Sequence, residues 1–141
     1  MDLNAMASHV RKMNASCEKF LKQYEGVLND LLRKKDITAE ESLQREILIE
    51  LTEHIYGIRH IAEYLEKTGF RLGVVNRDSE GEIVFDGEIL PLMTELEVHV
   101  LDELTGNKVW TRVFVGGIDK KYLVGLKKNF EIREIPARIR V

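Results

Sequence analysis

The chain has 141 residues, 44% of them hydrophobic and 32% charged, with a formal net charge of −3. Such a composition belongs to a folded chain, and such a length to one ordinary domain or two small units. The slightly acidic balance excludes indiscriminate coating of nucleic acid but leaves room for a local basic patch. Cys17 is the only cysteine, which excludes an intramolecular disulfide and a cysteine-ligated zinc site. The start, Met1-Asp2-Leu3-Asn4, lacks the basic and apolar segments of a signal peptide. No apolar run approaches the roughly 18 residues of a membrane span. The expectation is a cytoplasmic protein with no membrane attachment.

The first half reads as helix. Leu3, Met6, Val10, Met13, Cys17, Phe20, Tyr24, Val27 and Leu31 follow an unbroken 3,4 spacing, the stripe of a coiled-coil seam over about four heptads. The pattern breaks around Lys34-Lys35-Asp36-Ile37, and Thr38-Ala39-Glu40-Glu41 then reads as a capping box. A second stripe follows in Leu48, Leu51, Ile55, Ile58, Ala62 and Leu65. Thr68-Gly69 closes it, with Gly69 expected as a left-handed cap. Two helices of about 30 residues, each about 45 Å long, joined by a short linker make an antiparallel hairpin.

These helices have more to bury than one stripe each. Leu21, Leu28 and Leu32 lie beside the first stripe, and Leu43, Ile47 and Ile61 beside the second. Faces that wide need a third layer. A small β unit cannot cover about 45 Å of hairpin, so a second copy completing a four-helix bundle is favoured, with these six residues as its oligomerisation face.

After Gly69 the period changes. Residues 70–76 are β-like, residues 77–81 have turn chemistry, and Asp86-Gly87 between two short apolar runs signals a tight hairpin. Leu96, Val98 and Val100 alternate with Glu95, Glu97 and His99, the mark of a half-buried strand. Further strands are expected over residues 109–115, 122–124 and 137–141. The fold class is therefore α+β: residues 1–69 form a long coiled-coil-like antiparallel hairpin. Residues 70–141 form a small antiparallel β-barrel of five or six strands, SH3-like or OB-like.

Asp86-Gly87-Glu88-Ile89-Leu90, Glu95-Leu96-Glu97-Val98, Trp110-Thr111-Arg112, Tyr122-Leu123-Val124-Gly125 and the terminal Ala137-Arg138-Ile139-Arg140-Val141 carry a resemblance. With these, about half the chain resembles an uncharacterised family of small β domains found on bacterial mobile genetic elements. Residues 127–136 have no counterpart there. The resemblance implies barrel topology and a mobile-element setting, and no settled activity.

Catalytic motifs are missing: no phosphate-binding glycine loop, nucleophile elbow or paired-histidine zinc helix occurs. Glu50 and His54 share a helix face, but two ligands do not make a metal site, and His54 reads as a structural histidine at the helix interface. Cys17 reads as core. Glu53, Tyr56, His60, Glu63 and Tyr64 form a polar-aromatic stripe that reads as a solvated face, with a partner surface as the alternative. No catalytic residue, metal ligand or cofactor is assigned.

The unusual feature is charge. Residues 71–104 hold two Arg against nine Asp or Glu, for −7, and residues 105–141 hold nine Lys or Arg against three acids, for +6. The plain explanation is that neighbouring strands of opposite charge compensate one another. The sharper one is a basic face carrying Trp110, Arg112, Lys120, Lys121, Tyr122, Arg138 and Arg140, with Lys108, Lys127 and Lys128 nearby. One point stays open: either Trp110 and Phe114 or the valines of that strand face the core.

The leading expectation is a non-enzymatic interaction protein. It would be a homodimer through the hairpin and a mobile-element accessory that binds and regulates or inhibits a host protein or a nucleic-acid-directed defence complex. The alternatives are a sequence-tolerant DNA- or RNA-binding module and an enzyme of unrecognised class.

Overall fold

Helix α1 (Leu3–Arg33) and helix α2 (Ala39–Glu66) lie against one another in the structure, a computed structural model that describes residues 2–141. The chain divides into two units between Lys67 and Thr68. No helix among the described residues is long and apolar enough to cross a membrane.

Both helices start on side-chain caps. Asp2 accepts the Ala5 amide at 2.7 Å, and the Thr38 hydroxyl accepts the Glu41 amide at 3.1 Å, each satisfying a first-turn donor. The capping box is only half formed, because Glu41 turns to Lys34, whose Nζ donates to it at 2.7 Å. Gly69 is not the expected left-handed cap. Helix α2 ends on an extended Lys67, and Gly69 exchanges backbone hydrogen bonds with Val141 at 3.0 and 3.2 Å. Pairing with the last residue sets its backbone instead.

The seam differs from the stripe that the spacing predicts. Leu31, Leu48, Ile55 and Ala62 are buried, but Met6, Met13, Val27 and Leu51 are exposed. Asn14, Leu21 and Leu28 on α1 and Thr52 and Arg59 on α2 are half-buried, as are Val10, Cys17, Phe20, Ile58 and Leu65 of the expected stripes. Alternate seam positions have therefore moved one residue along each helix, and both helices are rotated about their axes. A bidentate pair ties them on that side: Arg59 Nε and Nη2 donate to Glu18 at 2.6 and 2.7 Å. His54 is not at the interface either. Its side chain is exposed, 3.7 Å from Glu50.

The second unit is one antiparallel sheet of seven strands: β1 (Phe70–Arg77), β2 (Ile83–Phe85), β3 (Glu88–Ile89), β4 (Glu95–Leu101), β5 (Lys108–Gly116), β6 (Tyr122–Val124) and β7 (Ile135–Arg140). The order is β3-β2-β1-β7-β4-β5-β6. Two meanders, β1–β3 and β4–β6, are thus joined by the last strand, which inserts between β1 and β4. The sheet curls into a half-barrel, with β3 and β6 at its edges. The Asp86-Gly87 turn has positive φ at both residues, 49° and 84°, as a two-residue β-hairpin requires.

Alternation decides the faces. Leu96, Val98 and Val100 of β4 and Val113 and Val115 of β5 are buried, with Val75, Phe85, Leu123 and Ala137 beside them. Val113 and Val115 are therefore core, while Val109 on the same side of the strand is exposed. Trp110, Arg112 and Phe114 face outward, in register with His99, Glu97 and Glu95. Residues 127–136 are built into the fold, since Ile132 and Ile135 both enter the core.

Candidate functional site

The expected basic face comes apart into separate settings. On the outer face, β4 carries its acids between two basic strands, because Glu97 is in register with Arg112 of β5 and Arg138 of β7. Arg138 donates to one Glu97 oxygen at 2.9 Å and Arg140 to the other at 3.1 Å, while Arg112 donates to Glu95 at 3.1 Å. Arg140 is 9% exposed. The Arg138 guanidinium also lies 4.1 Å from the Phe70 ring and 4.2 Å from the Trp110 ring, and His99 stacks on Trp110 at 4.9 Å. Phe70, Trp110 and the protruding Leu72 leave this face partly apolar. The opposite charges of the two stretches compensate across the sheet here, as cross-strand pairs do.

Lys121, by contrast, reaches Glu82 at 2.5 Å, and Lys127 reaches Glu103 at 2.9 Å. Lys120 is exposed, and Tyr122 lies beneath Lys128, whose Nζ is 5.4 Å from the ring centre. Lys120 and Lys128 line a cleft together with Arg77 and Arg133. Sequence reasoning did not assign Arg77 or Arg133 to a site. Arg77 lies in the acidic stretch, and Arg133 in residues 127–136, which read as an insert.

The six expected oligomerisation residues do not share one face. Leu21 and Leu28 line the groove between the helices beside Thr52, Tyr56 and Arg59. Leu43, Ile47 and Ile61 lie on the other side of α2, and each is exposed, as is Leu32. Each residue turns the helix by about 100°, so Met13 and Val27 flank the α1 seam one step before Asn14 and Leu28. Leu51 and Ile58 flank the α2 seam one step before Thr52 and Arg59. In antiparallel helices, displacement in the same sense falls on the same side of the hairpin. Met6, Met13 and Val27 therefore join Ile47, Leu51 and Ile61 in a single apolar face, every member 38–48% exposed, while Leu43, two residues from both Glu41 and Arg45, points away from the seam. On α1 the exposed apolar residues of this side are the two methionines and Val27, not Leu21, Leu28 and Leu32.

Among the described residues no group of three or more His, Cys, Asp or Glu side chains is placed to hold a metal ion. Cys17 is half-buried in α1. Comparison of the chain with family models, with curated proteins and with solved structures gives no match.

Proposed function

We propose that this is a non-enzymatic interaction protein whose hairpin pairs with the hairpin of a second copy, so that one dimer presents two β units to a ligand. The apolar face carries the reading. Six large side chains exposed on one side of a two-helix unit exceed the scattered apolar residues of an ordinary surface. The stripe from Met6 to Val27 is about 32 Å long at 1.5 Å per residue, and an equally long apolar surface matches it best. The flanking α1 positions His9, Ser16, Gln23 and Asp30 include only one fixed charge, so two copies related by a two-fold axis meet with little repulsion. Two such hairpins make a four-helix bundle. An accessory role on a mobile element, acting on a host protein or complex, rests on the resemblance of the β half.

Paired variants separate folding from association. Ile61→Asp places a carboxylate on the exposed face and is expected to yield monomers with unchanged helix content by circular dichroism. Ile55→Ala, at a buried seam position, is expected to lower stability by about 2–5 kcal/mol. Equal loss of helix from both variants would contradict the assignment of faces.

A further inference from the structure

We propose that the cleft formed by the end of β1, the β5–β6 turn and the β6–β7 loop binds the phosphates of a nucleotide, free or within a single strand. Phe130 would serve there as the platform for the base. The inference does not rest on self-association of the hairpin.

The cleft is built rather than accidental. Its β6–β7 wall is tied to β1 at two points: the Arg77 amide donates to the Ile132 carbonyl at 3.0 Å, and the Glu134 amide donates to Asn76 Oδ1 at 2.7 Å. Within the loop the Phe130 amide donates to the Lys127 carbonyl at 2.9 Å, and Ile132 is anchored in the core at 6% exposure. A wall fixed in this way loses little freedom when a ligand arrives. The volume is about 530 Å³, within the range of small-molecule sites.

Charge selects the ligand. Arg77, Lys120, Lys128 and Arg133 line the cleft against a single acid, Glu131, four positive charges to one negative, for +3. Arg112, Lys121, Lys127, Arg138 and Arg140 each hold a carboxylate. Among the described residues the four cleft cations make no ion pair with one. Arg77 Nη1 donates to the neutral Gly81 carbonyl at 2.9 Å, and Lys128 lies over Tyr122. Four cations gathered against one acid repel one another, and an anion with several oxygens relieves that repulsion. Phosphates suit several cations arriving from separate segments. Phe130, 37% exposed on the same wall, adds a flat ring on which any base can stack. The pieces converge only in the fold, because Arg77 and Arg133 are 56 residues apart (133 − 77) in the numbering.

The test uses the full chain at low salt, where screening is weak. Fluorescein-labelled oligothymidylate is followed by anisotropy and ADP by calorimetry. The double variant Lys128→Glu/Arg133→Glu is compared with Lys108→Glu/Arg112→Glu, which makes the same change in net charge outside the cleft. The cleft variant is expected to lose at least about tenfold in affinity, with the salt slope reduced by about two, while the control stays near wild type. Thermal melts check folding, and Lys120→Glu, at an exposed turn position, gives an independent variant. Binding of both probes, or of the strand alone with the phosphates supplied by its backbone, supports the site. The proposal is overturned if neither probe binds, if the control weakens binding as much as the cleft variant, or if an acidic peptide binds in place of both.

Discussion

The guanidinium of Arg138 lies 4.2 Å from the centre of the Trp110 ring. The same group faces Phe70 at 4.1 Å and donates to Glu97 at 2.9 Å. Arginine suits this place because a planar guanidinium can stack on rings while its edge binds a carboxylate. Arg138→Lys keeps the charge and loses the plane. It is expected to lower the stability of the β unit by about 1–2 kcal/mol and to shift the emission of Trp110, the only tryptophan. Unchanged emission would show that the stack is absent in solution.

Glu97 stands between two arginines, one of them Arg140 at 9% exposure. Removing the anion leaves buried positive charge with less compensation. Glu97→Ala is therefore expected to cost about 3–5 kcal/mol in a denaturant melt. Glu95→Ala, whose Arg112 partner is exposed, is expected to cost about 1 kcal/mol or less. If the two variants melt alike, the outer face is a set of independent surface pairs and not a buried network.

The boundaries between helix and sheet were legible because period and turn chemistry are local. The 3,4 spacing, the Thr38 cap and Asp86-Gly87 act within a few residues of themselves. The rotation of the helices was not legible. Val27 and Leu28 are both large and apolar in the sequence, so composition does not say which of the two enters the seam. Leu28 lies in the groove where a pair 41 residues apart, Glu18 with Arg59, bridges the two helices. The charge split was visible, but its resolution required the strand order. β7 enters between β1 and β4 and so brings Arg138 to Glu97, a long-range pairing that no local signal encodes. The cleft of Arg77 and Arg133 was hidden for the same reason, its cations lying on segments distant in the chain.

Acid should weaken the hairpin through Glu18. The hydrogen bonds from Arg59 hold the Glu18 carboxyl below its ordinary value of 4.5. A carboxyl depressed on folding adds stability that is complete above the unfolded value and is lost as pH falls through the folded one. The difference in melting temperature between wild type and Arg59→Ala is thus expected to be constant near neutrality and to narrow below about pH 4.5. A difference that stays the same down to about pH 3 would mean that the pair does not form.

The exposed apolar face of the hairpin is the central claim, and its most direct test is the mass of the full chain in solution. Sedimentation equilibrium across a range of micromolar concentrations should report a species of two 16.3 kDa chains, dissociating on dilution and in Ile61→Asp. A single 16.3 kDa species at every concentration, with full helix content, would contradict it.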